Sequence, residues 1–315
     1  MSKKDSDVSD ELRQMKELAR TVIAHHFGSK PRRIIHKASG LSNFVFSVVH
    51  PEGDFIVRIS PEPARINSFI KEQWAQGRAR EIGVPTPEIL EVGNEIIGHP
   101  FMISRTVGGH EATYNPNRMP ILREMGRYSA LINTIPTIGF GSTFDWSSNL
   151  LSHNATWNEY LQKELRLEAR LETLERNQLL ISAQIKKLRR ILEKADETEI
   201  KPTLNHGDIR LKNMIVNEQG EITAILDWEH CTSNLAPHWE LSLALHDLSI
   251  DEKQEFLMGY GLEDKRIVEI APVMKALNII NYAPKIECLV ESKDTRCLEQ
   301  YRTRLSGALD FYSLS

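Results

Sequence analysis

Residues 204 to 227 read LNHGDIRLKNMIVNEQGEITAILD, and no other stretch limits the fold as much. Met214, Ile215 and Val216 make one short apolar run and Glu221 to Leu226 a second, with the turn signal Asn217-Glu218-Gln219-Gly220 between them. The pattern predicts a β-hairpin. Because a hairpin folds back on itself, Asn213 just before it and Asp227 just after it are expected to be neighbours. Their side-chain oxygens then suit Mg2+, a hard cation that takes one or two protein ligands and completes its shell with water and phosphate. Asp208 lies one loop upstream. A carboxylate there can orient an attacking hydroxyl and accept its proton, the base role in phosphoryl transfer. His-Gly-Asp alone carries little, since Asp caps turns and Gly punctuates loops everywhere; the weight lies in Asp208, Asn213 and Asp227 together.

The rest of the chain changes grammar partway along. From Arg32 to Phe101, short β-branched and aromatic runs alternate with turn signals: RRIIHK, ASGLSN, FVFSVV, HPEGD, FIVRIS. Three antiparallel strands are expected there. A helix over INSFIKEQWAQGRAREIG follows, stopped by Gly83 and Pro85, and PEILEVG and HPFMIS supply two more strands. After RTVGGH the pattern turns mainly helical. From Asn158 to Glu199, Leu and Ile recur at three- and four-residue intervals with a break near Asn177, which predicts two amphipathic helices on one core in preference to a dimerising coiled coil. The fold class expected is α+β and two-lobed: a helical or flexible extension over 1–32, a small sheet lobe over 33–106 and a larger helical lobe over 107–315.

Charge and composition exclude several partners. Lys plus Arg number 39 against 43 Asp plus Glu, a net charge of -4, so nothing pulls the chain toward nucleic acid or anionic lipid. The N-terminal MSKKDSDVSDELRQM has no apolar signal core, and nowhere do about 18 apolar residues run together. A cytoplasmic protein, monomer or homodimer, is expected. Cys231, Cys288 and Cys297 lie in no Cys-x-x-Cys pair and read as reduced packing residues. His230, His238 and His246 are spaced by eight; Leu241, Leu245 and Leu248 beside them read as the core face of a helix, and zinc is not expected.

In the sheet region, Gly40 of SGLSN permits close approach of backbone to a phosphate, with N–H groups and the Ser39 and Ser42 hydroxyls as donors; an ordinary hairpin turn explains the same residues. In FIVRIS, period-two alternation puts Val57 and Ile59 on one face and Arg58 on the other, with Glu72 as its expected helix partner.

HGDIRLKNMIV followed by ITAILDWEH has the order His-x-Asp-x-x-x-x-Asn and then a metal-binding Asp, as in a kinase catalytic loop. With Gly inside the first motif and Asp-Trp-Glu as the second, it resembles the aminoglycoside phosphotransferase and choline kinase group more than protein kinases. SGLSNFVFSV resembles that group's phosphate-covering loop, REIGVPTPEIL its helix-to-strand junction and PFMISRTVGG its hinge. The resemblance implies a protein-kinase-like fold and phosphorylation of a small-molecule hydroxyl by ATP or GTP with Mg2+. It implies Asp208 as base and Asn213 and Asp227 as metal ligands. Ser39, Gly40, Ser42, Asn43, Arg58, Glu72, Ser104 and Thr106 are implied on the nucleotide. Two residues depart from the group. Arg58 stands where Lys is expected, and the two cations are not equivalent: Arg58 can clamp phosphate, mark weakened catalysis, or be a surface charge on an edge strand. Glu240 stands where Asp is usual, which puts a supporting role in doubt. Glu229 reads either as an acceptor contact or as a structural residue.

A nucleotide- or ligand-sensing pseudokinase of the same fold is the alternative function. Protein kinase activity fits less well, since about eight residues separate Asp227 from the apolar run near Leu235 and leave no long segment to hold a peptide. Residues 227–315 carry 15 Asp plus Glu against 9 Lys plus Arg, a net of -6. The excess suggests a cationic acceptor, aminoglycoside-like or amino alcohol, against the bland reading of a solvated acidic surface.

Overall fold

The computed structural model describes residues 3–37, 43–145, 148–195, 201–294, 296–301, 303 and 305. Its strands are β1 (Arg33–Lys37), β2 (Phe44–His50), β3 (Gly53–Ile59), β4 (Ile89–Gly93), β5 (Phe101–Arg105), β6 (His110–Glu111), β7 (Phe144–Asp145), β8 (Leu150–Leu151), β9 (Thr203–Asn205), β10 (Met214–Val216), β11 (Ile222–Ile225) and β12 (Thr232–Asn234). The helices are α1 (Lys3–Phe27), α2 (Arg65–Glu81), α3 (Arg118–Ile132), α4 (Trp157–Glu159), α5 (Leu167–Arg176), α6 (Ser182–Lys194), α7 (His238–Ala244), α8 (Ile250–Tyr260), α9 (Asp264–Asn281) and α10 (Ala283–Glu291). They fall into two compact units, Met1–Pro116 with Leu211–Glu229, and Asn117–Arg210 with His230–Ser315. The hairpin thus groups with the N-terminal sheet, although about a hundred residues of the second unit precede it in the chain.

The first unit is built on an antiparallel sheet of order β1-β2-β3-β5-β4. β2 and β3 alternate as period-two patterning requires, with Phe46 and Val48 of β2 and Phe55, Val57 and Ile59 of β3 fully buried, while β5 is buried on both faces, Phe101 and Ile103 completely. Residues 1–32, expected as an extension, contain α1, whose Met15, Ala19, Val22 and Ile23 recur at helical spacing and join that same core. Phe27 ends the helix by packing on Phe55 with ring centroids 4.6 Å apart. Burying a large apolar side chain is worth about 1.5–3 kcal/mol, so this face makes α1 part of the unit. The sheet has β3 at its centre, which overturns the reading of Arg58 as a charge on an edge strand.

The hairpin has the predicted turn. Asn217 Oδ1 accepts from the N–H groups of Gln219 (3.0 Å) and Glu221 (2.9 Å), the self-bonding that favours Asn in turns. A third strand that the sequence did not announce, β6, pairs with β10 through Ile215 opposite Glu111. Gly109, just before it, has φ 128°, and a Cβ there would run into the carbonyl of Val216. Gly109 of RTVGGH therefore lets this segment lie against the hairpin.

The second unit is mainly helical. Its core gathers Trp157 and Leu161, Leu171 and Leu174 of α5, Leu188 and Leu192 of α6, and Leu277 and Ile280 of α9. The stretch from Asn158 breaks at Asn177, whose side chain donates back to the Thr173 carbonyl at 2.8 Å, but also at Arg166, at φ 54°, so its first half is not the single helix expected. Both apolar stripes are spent inside this core. α7 ends at Ala244, so Leu241 and Leu245 are buried while Leu248 is beyond the helix and partly exposed. Of the cysteines only Cys231 is buried; Cys288 is exposed and Cys297 intermediate, so the packing reading holds for one of the three.

Candidate active site

The first unit assembles most of the residues that the sequence singled out. Arg58 leaves β3 on the face opposite the apolar core and meets Glu72 of α2 in a two-point pair, Nη1 to Oε2 at 2.7 Å and Nη2 to Oε1 at 3.2 Å. The Glu72 side chain is 1% exposed and that of Arg58 20%. The guanidinium also lies over the Phe69 ring, 5.0 Å from its centroid. Burial alone would lower the pKa of Arg58; Glu72, with Glu229 and Asp227 adding, outweighs it and raises the pKa. Several carboxylates thus face one planar cation, and the fork of Arg, which Lys lacks, is what grips Glu72 at two points.

At the hairpin, Met214 pairs with Ile225, and the N–H of Leu226 donates to the Asn213 carbonyl at 2.8 Å. The backbones of Asn213 and Asp227 therefore flank the same end of the hairpin. Asn213 is 5% exposed. Asp227 has φ 64°, in the left-handed region that Asp tolerates better than most residues. Trp228 behind it is fully buried, its Nε1 donating to the Ile225 carbonyl at 2.9 Å. Glu229 is held by α2: Lys71 Nζ donates to its carbonyl at 2.7 Å, and Arg65 Nη1 is 3.4 Å from its Oε2. Nothing in the sequence marked Lys71, since its partner is a backbone oxygen 158 positions away.

Ser104 sits on β5 opposite Ile56 of β3, and the N–H of Thr106 donates to the Asp54 carbonyl at 2.9 Å, so the segment leaving β5 is tied to the start of β3. Asn43 lies at the start of β2, with its Oδ1 buried. Ser39, Gly40 and Ser42 fall outside the described residues.

Asp208 belongs to the second unit. It is 7% exposed, and its Oδ1 accepts from Arg210 Nε at 2.8 Å; Arg210 Nη1 is 3.7 Å from Asp247 as well. The loop carrying Asp208 is built from beneath. His206 is fully buried, and its Nδ1 accepts from the Asp208 N–H at 3.2 Å. Gly207 has φ 80°, and a Cβ there would collide with the His230 carbonyl, a physical reason for Gly between His and Asp. Glu240 resolves the doubt attached to it. Its carboxylate, fully buried at the start of α7, accepts the N–H of His206 at 2.6 Å and that of Gly207 at 3.3 Å. Burial pushes its pKa up to about 7, with Asp208 adding and the two N–H groups opposing. His238 is also buried and held near a pKa of about 4 by desolvation, with Arg266 adding, so it is neutral at pH 7. Among the described residues no group of three or more His, Cys, Asp or Glu could hold a metal. Nor is any described helix long and apolar enough to cross a membrane.

Comparison with known proteins finds structures of similar fold. A thermostable mutant of aminoglycoside phosphotransferase APH(4)-Ia, apo form, is similar at 16% identity and TM-score 0.67, over 94% of this chain and 100% of that one. A variant of it in ternary complex with ADP and hygromycin B has 16% identity and TM-score 0.66 over 92% and 97%. The GDP and kanamycin complex of APH(2")-IIia has 14% identity and TM-score 0.62 over 91% and 97%. At such identities the likeness is one of fold. No curated protein matches the chain. The phosphotransferase enzyme family matches residues 33–272, most of the 315, and the chain belongs to that family.

Proposed function

We propose that the chain is a small-molecule kinase that moves the γ-phosphate of ATP or GTP to a hydroxyl of a small acceptor. The observation that carries this reading is the hairpin, which sets the backbones of Asn213 and Asp227 at its one end, within a unit that also holds the Arg58–Glu72 pair. Asp208 takes the proton of the acceptor hydroxyl; the hydroxyl oxygen bonds to the γ-phosphorus as the bond to the β-phosphate oxygen breaks, and the nucleoside diphosphate leaves. Arg58 donates to phosphate oxygens with N–H groups not engaged by Glu72. Ser39, Gly40, Ser42 and Asn43 supply donors to the phosphates, and Ser104 and Thr106 bind the base.

A carboxylate and a carboxamide are oxygen donors that fit a hard oxygen-seeking cation, so Asn213 and Asp227 would hold Mg2+. When bound, that ion neutralises charge on the phosphates. The acidic excess of residues 227–315 favours an amine-bearing acceptor, aminoglycoside-like or amino alcohol. Relatives of the same fold have been solved with ADP and hygromycin B and with GDP and kanamycin, which supports both the acceptor class and either donor.

One observation favours the non-catalytic alternative: Glu72 engages both Nη atoms of Arg58, where the resemblance expects a lysine. A coupled product-release screen separates the two. It follows ADP with ATP, and GDP with GTP, against hydroxylated amines, sugars and antibiotics. Turnover that requires Mg2+ and one acceptor class supports the kinase; tight nucleotide binding without turnover on any acceptor supports the binding module.

A further inference from the structure

Three adjoining observations on α2 extend this reading. Glu72 holds Arg58, the next residue back, Lys71, holds the carbonyl of Glu229, and Arg65, lower on the same helix, faces the Glu229 carboxylate. Lys71 is only 6% exposed, so its ammonium has been taken out of water to make its contacts. Asp227, two residues before Glu229, stands at φ 64°. A residue other than glycine stays in that region only where its surroundings over-determine it, and such positions cluster where a side chain must be aimed. On the N-terminal side of Asp227 the hairpin supplies the constraint, through Leu226 N–H to Asn213 O at 2.8 Å. On the C-terminal side it comes from the Trp228 indole and from Lys71 on the Glu229 carbonyl.

We infer that Lys71 is a positioning residue for Asp227. By pinning the Glu229 carbonyl, two residues on, to α2 it keeps the Asp227 carboxylate aimed for metal, with Arg65 as a second anchor on the Glu229 side chain. Glu229 is then a strut and not an acceptor contact. One helix joins the phosphate cation, through Glu72, to the metal carboxylate, through Lys71, so metal and nucleotide affinity are coupled within a single unit. The inference rests on the reading of Asp227 as a Mg2+ ligand.

The test is calorimetric and needs no turnover: affinity for a non-hydrolysable ATP or GTP analogue with and without Mg2+, in the wild type, Lys71→Met, Lys71→Arg, Arg65→Gln and Asp227→Ala. Loss of one charge-assisted bond corresponds to about tenfold, so Lys71→Met should cut the Mg2+-induced gain in affinity by about that factor while metal-free affinity stays within about twofold. Lys71→Arg should recover most of the gain, and Arg65→Gln should lose a smaller part. An anchor that matters only to stability would lower the melting temperature and leave the Mg2+ gain unchanged, which overturns the inference. If Lys71→Met does not fold, Arg65→Gln, at a side chain 27% exposed, carries the same decision: an unchanged gain overturns it. Asp227→Ala separates the two levels, since a Mg2+ gain that survives its loss overturns the metal reading itself.

Discussion

Glu240 offers the sharpest use of the structure, because its carboxyl is fully buried under the loop that carries Asp208 and is pushed by that burial to a pKa of about 7 against 4.5 for an ordinary glutamate. A raised carboxyl binds its proton more tightly folded than unfolded. Its contribution to stability is therefore fully present below the unfolded value of 4.5 and is lost as pH rises to about 7, after which it stays constant. The difference in pKa corresponds to about 3 kcal/mol, from about 1.4 kcal/mol for each pH unit. Most of it should appear between about pH 5 and pH 8. Glu240→Gln keeps the size and one acceptor for the His206 and Gly207 N–H groups but cannot ionise. Urea unfolding of wild type and variant across that range should show the variant gaining on the wild type by about 3 kcal/mol as pH rises. A difference between the two that is flat with pH would refute the assignment of a buried, proton-holding Glu240.

Three further outcomes follow from the geometry. Arg58→Ala should weaken nucleotide binding by about 1.5–3 kcal/mol in calorimetry, the scale of a charge-assisted hydrogen bond, and Arg58→Lys should restore part of it; two variants that bind like wild type would remove Arg58 from the site. Gly207→Ala, which needs φ 80° and meets the His230 carbonyl, should lower the melting temperature and the turnover together, and wild-type behaviour in both would show that the loop has room to spare. For a cationic acceptor, KM should rise clearly between low salt and about 0.5 M while turnover at saturation changes little, because the Debye length shrinks; a flat KM would leave the acidic excess a solvated surface.

Much of this was legible in the sequence where the determinants are local. The hairpin could be read because Asn217 and Gly220 specify the turn and the flanking apolar runs specify the strands. Period two alone put Arg58 opposite Val57 and Ile59, and a helix following the strand brought Glu72 within reach. What stayed hidden depends on partners distant in sequence. The helical spacing of Met15, Ala19, Val22 and Ile23 says that α1 has an apolar face but not that the sheet takes it up. The two residues of β6 are too few for any periodic signal. Glu240 looked doubtful because a longer side chain than expected raised a question that only the positions of the His206 and Gly207 N–H groups could answer. Lys71 could not be found at all, because backbone carbonyls carry no sequence signature.

The central claim is that Asp208 is the base of a phosphoryl transfer, and the most direct measurement is turnover of Asp208→Asn beside wild type, with nucleotide affinity measured on both. The account predicts an unchanged fold and nucleotide affinity with turnover lower by about 100-fold or more, the scale of a general base. Turnover close to wild type, with the same acceptor, would contradict it.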